Sequence, residues 1–262
     1  MGEKFLIIYF PIMKAMILAA GYGSRLKPLT DEKPKALIEI QNIPLLELII
    51  RKLIAIGISE IIINTHHLAE QIVRFVQKNN NFGIHIEFSN EPEILGTGGG
   101  LIKASYFFND DQPFFLYNVD ILATIDIKKM YQFHLDNHAM ITLALQKRKT
   151  NRYFIVDENN FICGHEDQDN QRIRLKRKPY RSSNLMAFCG IHVISPNIFD
   201  YVEETGRFSI VDVYLKLIDK GFPIIGYPAN QYYWKDIGKL ETLDEINHDI
   251  TEGVIRIDDL IA

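Results

Sequence analysis

The chain has 262 residues, 47% of them hydrophobic and 24% charged, with a formal net charge of −4. That length suits one large α/β domain or two small ones. The mild acidity argues against a general nucleic-acid binder while leaving room for a local basic pocket, and two cysteines, Cys163 and Cys189, without metal-ligand spacing read as ordinary reduced thiols rather than a disulfide framework.

Residues 1–12 carry an apolar run over 5–10 that ends at Pro11, too short for a secretory leader and lacking a small-residue cleavage site. No stretch approaches the roughly 20 apolar residues a membrane span needs. The segment reads as an N-terminal extension ahead of a domain starting at residue 13, with no membrane partner and a cytoplasmic location by default. From residue 13 to about 146, strand-like and helix-like stretches alternate, which predicts a parallel sheet covered on both faces. Strands are predicted at 14–18, 60–64, 85–88, 114–118 and 141–146. Between them, 45–56 is apolar nearly all round and reads as a buried helix ended by Gly57. The stretch 68–77 is more amphipathic, another helix begins near Thr97, and Asp126 reads as the N-cap of a helix through 138.

After Lys147 the character changes. Short alternating stretches at 153–156, 172–175 and 187–194 surround turn-rich segments at 157–160 and 165–170, which predicts a smaller, antiparallel part lying over the sheet's C-terminal edge. Helices return at 211–219 and 240–249 around a strand at 223–227. The fold class is therefore α/β: one Rossmann-like domain over 13–250, made of a 13–146 part and a 147–250 part. An antiparallel insertion sits in the second, and 251–262 is left as a tail.

The most informative stretch is Leu18-Ala-Ala-Gly-Tyr-Gly-Ser-Arg-Leu-Lys-Pro-Leu-Thr30, followed by Lys33-Pro-Lys-Ala-Leu37. A buried-strand pattern runs directly into two glycines, which let backbone N–H groups approach a phosphate. Arg25 and Lys35 add full positive charges to the same loop, a combination suited to a triphosphate. A dinucleotide fingerprint would need a third glycine after Gly21 and Gly23, and no P-loop string occurs. Glu91-Pro-Glu-Ile-Leu-Gly-Thr-Gly-Gly-Gly100 forms a second loop whose glycines permit close passage of a flat base and ribose. Two acids suit a metal. Asp120 follows the apolar strand 114–119 at its carboxyl end, where open sheets place ligands, and Asp236 lies in Trp234-Lys-Asp-Ile-Gly238. Magnesium prefers such oxygen donors, usually one or two carboxylates plus phosphates and water. His66-His67 lacks a third ligand and reads as a pair of loop histidines, while Trp234 reads as packing the sheet edge and positioning Asp236.

The first string resembles the nucleotidyltransferases that activate sugar 1-phosphates, the NDP-sugar pyrophosphorylases. Their pattern is met by Leu18, Ala19, Gly21, Gly23, Arg25, Leu26, Pro28, Leu29, Thr30, Pro34, Lys35 and Leu37. The resemblance covers about 13–246 and implies the nucleotide-diphospho-sugar transferase fold, with 13–146 as its nucleotide-binding part and 147–250, carrying the antiparallel insertion, as its sugar-binding part. It implies NTP and sugar 1-phosphate as substrates and Mg²⁺ held by Asp120 and Asp236. Arg25 and Lys35 would be catalytic, with nucleotide contacts from Leu18, Ala20, Gly21, Gly23, Ser24, Glu91, Gly96 and Thr97. On the sugar side it implies Asn118, Gly190, Lys178 and, beside the last, Arg177. Family members commonly carry Gly-Asp where this chain has Val119-Asp120, which bears on sugar fit. They also carry glutamate where this chain has Arg177, and an arginine there suits a carboxylate-bearing sugar such as N-acetylmuramate.

The 95–100 loop and the strand at 188–196 look most like N-acetylmuramate 1-phosphate uridylyltransferases. Mannose- and heptose-1-phosphate guanylyltransferases compete, since a carboxylate at Glu91 complements guanine's N1–H and N2 donors, and the base stays open. A non-catalytic nucleotide sensor on the same scaffold is disfavoured by the presence of Arg25, Lys35, Asp120 and Asp236 together. A cytidylyltransferase for a cationic phosphate such as phosphocholine is disfavoured by the basic stretch 172–181.

Overall fold

The computed structural model describes residues 13–262, so the expected extension 1–12 lies outside the described residues. Fourteen strands and eight α-helices follow in chain order. The first half runs β1 (Met13–Leu18), α1 (Leu29–Glu32), β2 (Glu39–Ile40), β3 (Ile43–Pro44), α2 (Leu45–Ala55), β4 (Ile58–Thr65), α3 (Ala69–Lys78), β5 (His85–Asn90), α4 (Gly96–Lys103), β6 (Phe114–Asn118) and β7 (Ile121–Ala123). The second runs α5 (Ile127–Asp136), β8 (Ile141–Gln146), β9 (Arg152–Asp157), β10 (Ile162–Asp167), β11 (Arg172–Leu175), β12 (Ser183–Ile194), α6 (Ile210–Asp219), β13 (Ile224–Pro228), β14 (Trp234–Asp236), α7 (Leu240–Thr251) and α8 (Ile257–Ile261).

Among the described residues the central sheet has ten strands in the order β11-β10-β9-β12-β6-β1-β4-β5, with β8 branching from β12 and β13 pairing with β8. Strands β6, β1, β4 and β5 pair in parallel. Alternation along β1 sends Ala15 and Ile17 to one face and Met16 to the other, and β4 does the same with Ile61, Ile63 and Ile62. On the first face α2 and α3 close the core with Leu46, Ile49, Leu53, Ile72 and Val76. On the second, α4 and α6 supply Leu101, Val213 and Leu217. A run of apolar residues on both faces is what a buried parallel strand requires. Asp126 caps α5, its carboxylate accepting the Lys129 amide at 2.9 Å.

Two expectations change. Strands β9, β10 and β11 do not lie over the sheet's edge but extend the sheet itself. They are joined through β12, whose early residues pair with β9 and whose later ones pair with β6 and β8. At twelve residues β12 is about 40 Å long, enough to serve both groups. The expected tail 251–262 is also a packed element. Leu260 of α8 and Ile255 enter a third core cluster with Leu26, Leu122, Ile237 and Ile246. That cluster lies beneath the residues adjoining Arg25 and Asp236, so the last helix supports the loops at the sheet's C-terminal edge. No helix among the described residues is long and apolar enough to cross a membrane.

Candidate active site

Strand β1 ends at Leu18 and the chain enters the 19–25 loop at the sheet's carboxyl edge. Gly23 takes φ +64°, and a Cβ there would lie 2.9 Å from the Thr30 methyl, so both its conformation and its space call for glycine. Its carbonyl accepts the Leu26 amide at 2.8 Å and the Thr30 hydroxyl at 2.9 Å, which closes the loop. Two histidines brace it from outside. His66 Nδ1 donates to the Glu91 carbonyl (2.7 Å), leaving Nε2 to accept from the Tyr22 hydroxyl (2.8 Å). His67 Nε2 lies 3.2 Å from the Thr30 carbonyl. The pair thus ties the first loop to the second.

Asn64, at the end of β4, links the same loops from beneath. Its Oδ1 accepts the Ala19 amide at 2.7 Å and its Nδ2 donates to Glu91 Oε1 at 2.7 Å. Glu91 Oε2 takes the Leu95 amide at 2.9 Å, and the residue is only 1% exposed. Both carboxylate oxygens therefore serve the protein, fixing the entry to α4. The expectation that Glu91 reads the edge of a base loses its footing here, and with it the argument for guanine.

A cavity of about 350 Å³ opens between these loops, lined by Leu18, Ala20, Gly21, Gly23, Ser24, Arg25, Lys35, Glu91, Gly96, Thr97, Asn118 and Asp120, together with Asn64, Ile94, Val119 and Gly238. Lys35 Nζ meets Asp120 Oδ2 at 2.5 Å. At the same wall, a Cβ on Gly238 would fall 2.7 Å from Arg25 Nη2 and 2.8 Å from Asp236 Oδ1, so the guanidinium and the carboxylate converge where a side chain has been omitted. Asp236 reaches this point on β14, which pairs with β7 directly after Asp120, Asp236 lying opposite Ile121. The ribbon thereby brings the two acids together.

Burial raises the Asp236 carboxyl's pKa, the negative charge of Asp120 raises it further, and Lys35, Arg25 and Arg148 pull the other way. Asp236 Oδ1 is buried without a hydrogen-bond partner among the described residues. A buried carboxylate oxygen with no donor is costly, and a second carboxylate close by makes a cation the fitting companion. The pair Asp120 and Asp236 therefore suits magnesium. No cluster of three His, Cys, Asp or Glu residues suited to a metal occurs among the described residues.

On the sugar side the outcome is mixed. Gly190, at φ +76°, presses on this wall, since a Cβ there would lie 2.5 Å from Ile121 Cγ1 and 3.1 Å from Asn118 Nδ2. Arg177 does not join the site. Its Nη2 donates to the Phe222 and Gly221 carbonyls (3.1 and 3.3 Å), just past the C-terminal end of α6, and its guanidinium lies 5.1 Å from the Phe161 ring centroid. Helix C-terminal carbonyls attract a cation, and this one is held there. Lys178, next in the chain, is exposed and does not line the cavity.

Two residues at the site were missed from sequence. Asn64 was visible only as the polar end of an isoleucine-rich strand, at the same sheet edge as Asn118. Arg148 stacks 3.7 Å from the Trp234 ring centroid, and Trp234 Nε1 donates to the Cys189 carbonyl at 2.9 Å. A single arginine in the polar run 146–150 carries no pattern that would have marked it.

The family model described as Nucleotidyl transferase matches residues 14–253. The chain belongs to the nucleotidyl transferase family. Among its relatives is a UTP–glucose-1-phosphate uridylyltransferase of Synechocystis, 31% identical over 243 residues, covering 87% of this chain and 61% of that protein. A mannose-1-phosphate guanyltransferase of Yarrowia lipolytica is 29% identical over 237 residues, with the same two coverages. The chain thus spans about three-fifths of the length of these curated relatives. Among solved structures, a UDP-glucose pyrophosphorylase complexed with UDP-glucose superposes with a TM-score of 0.76 at 19% identity, covering 92% of this chain and 99% of that one. HddC from Yersinia pseudotuberculosis, complexed with GMP-PN, gives a TM-score of 0.72 at 22% identity, covering 91% and 99%. Family and fold agree with the mostly parallel sheet flanked by helices.

Proposed function

We propose that this family member condenses an NTP with a sugar 1-phosphate to give an NDP-sugar and pyrophosphate. One observation carries the reading: Arg25 and Asp236 converge at Gly238, on the wall of the same cavity in which Lys35 grips Asp120 beneath a glycine loop. The printed activities of the relatives, uridylyl and guanylyl transfer to sugar 1-phosphates, support the same class.

A sugar phosphate is already anionic at neutral pH, so one of its oxygens attacks the α-phosphorus without a strong general base. The new P–O bond forms as the bond to the β-phosphate breaks, and pyrophosphate leaves. Alignment and charge neutralisation are then the protein's whole task. The amides of loop 21–24 and the Arg25 guanidinium would hold the β- and γ-phosphates and receive the charge of departing pyrophosphate. Lys35, released from Asp120 onto substrate, would neutralise the transferred phosphate. Asp120 and Asp236 would hold Mg²⁺, which when bound supplies neutralising charge between the two substrate anions. Residues 13–146 form the nucleotide side of this arrangement and the later part the sugar side.

With Arg177 turned away, the N-acetylmuramate 1-phosphate uridylyltransferase reading keeps only the resemblance of its loop and strand. Mannose- or heptose-1-phosphate guanylyl transfer stands beside it. The test is a pyrophosphate-release panel crossing the four NTPs with neutral and carboxylated sugar 1-phosphates. Turnover with at least one pair is expected; NTP binding with no pyrophosphate from any pair would instead mark a nucleotide sensor.

A further inference from the structure

The register between β12 and β8 breaks between Phe188 and His192, around the left-handed Gly190. Near that break two carbonyls are taken by side chains from other elements. Arg148 Nη2 donates to the Phe188 oxygen at 2.6 Å and Trp234 Nε1 donates to that of Cys189. The guanidinium lies over the indole, 3.7 Å from the ring centroid. Trp234 and Asp236 are two residues apart on β14, so they share a face, and Arg148 is held on the side of the ribbon that carries the proposed metal ligand.

These contacts leave part of the guanidinium unused. Among the described residues, Arg148 Nε is buried with no hydrogen-bond partner, as is Asp236 Oδ1. A cation's buried N–H without an acceptor is disfavoured unless a ligand completes it. Opposite charges near one another, each with an orphaned atom, suit an assembly in which an anionic oxygen meets the arginine and a cation meets the carboxylate. A planar guanidinium with a free N–H edge is matched to a carboxylate or phosphate, and stacking on Trp234 fixes its orientation before substrate arrives.

We propose that Arg148 is the cation that reads the sugar substrate, its free edge taking an anionic oxygen of the sugar 1-phosphate, either from the phosphate or from a carboxylate on the sugar. This rests on the reaction put forward above and deepens it, moving the anion-recognition role expected of Arg177 to a residue near Asp236.

The test is steady-state kinetics of wild type, Arg148→Met and Arg148→Lys at saturating NTP. Glucose 1-phosphate and mannose 1-phosphate serve as neutral sugars, and N-acetylmuramate 1-phosphate and glucuronate 1-phosphate as carboxylated ones. Methionine keeps an apolar stem over the indole; lysine keeps the charge without the fork. Loss of a charge-assisted hydrogen bond should raise KM for the sugar phosphate about tenfold or more in Arg148→Met, with KM for NTP little changed and partial recovery in Arg148→Lys. A rise with every sugar assigns the 1-phosphate; a rise confined to the carboxylated pair assigns the carboxylate. An unchanged sugar-phosphate KM, or a fall in kcat with both KM values moving together, overturns the assignment in favour of a purely structural prop. Should the methionine variant not fold, the lysine variant decides alone, and an unchanged KM there overturns it equally. A wild type silent with every pair overturns the reaction and this assignment with it, whereas an active wild type with unaffected variants removes Arg148 only.

Discussion

In the proposed reaction Arg25 would act on the leaving group and on a carboxylate at once, because Gly238 leaves no side chain between it and Asp236. Replacing it by alanine removes a principal donor to developing charge. Turnover should fall about a hundredfold or more, the scale seen when one such preorganised donor is lost. Single-turnover measurement at saturating NTP checks this, and near-wild-type rates would remove Arg25 from the chemistry. Arg25, Lys35, Asp120 and Asp236 were legible from sequence because each is tied to a local signal: a glycine loop, a Pro-Lys pair, a strand end, a short Trp-to-Gly string. Arg148 and Asn64 were not, because what makes them matter is a partner far along the chain, the Trp234 ring for one and Glu91 for the other. Arg177 erred in the opposite sense. A local pattern placed it in the site, but carbonyls beyond α6 compete for its guanidinium and win.

Among the elements, β1, β4 and β6 could be read directly because buried parallel strands leave near-continuous apolar runs. Strands β7 and β14, three residues each, leave no periodicity, yet their pairing brings Asp236 beside Asp120. The same alternation in β9 to β11 would fit a separate layer or an extension of the sheet, and only their partner β12 distinguishes them. Helix α5 offers a test of how elements are pinned. Its His134 is buried, with Nδ1 2.9 Å from the Thr142 hydroxyl of β8 and Nε2 3.0 Å from the Ser195 hydroxyl, which itself donates to the Ala139 carbonyl. A neutral ring accepting from Thr142 and donating to Ser195 satisfies all three, and burial pushes its pKa down from 6.5 to about 4. The unfolded chain protonates this ring first. The stability it contributes is therefore complete above pH 6.5 and is lost as pH falls toward 4, by ~3 kcal/mol at that limit. Urea titrations at stepped pH should show His134→Gln with a shallower decline across this window than wild type; parallel slopes would mean the ring is not held neutral.

At the scale of the whole molecule, the parts proposed to bind nucleotide (13–146) and sugar (147–250) share their supports. Strand β12, itself in the later part, pairs with β6 and β8 from the first part and with β9 from its own. Each core cluster also draws on both: Ile17 and Ile50 with Ile191 and Tyr227, Met16 and Ile62 with Val213 and Ile224, Leu26 with Ile237 and Leu260. Splitting the chain near residue 147 would expose all three clusters at once, and burial of that apolar area is the main force holding a fold together. Although chains of this length often unfold in steps, the sharing predicts one cooperative transition. The single tryptophan, Trp234, gives a convenient probe because it sits in the later part, proposed to bind sugar, against Arg148 and the β12 backbone. Its fluorescence and the far-ultraviolet circular dichroism of the whole chain should give coincident midpoints in urea, and added NTP should shift both together because ligand binds only the assembled cleft. An earlier fluorescence midpoint would mean that the sugar side loosens alone. The convergence of Arg25 and Lys35 with Asp236 would then depend on a docking equilibrium rather than on a shared core, and a slow step in turnover would belong to that docking.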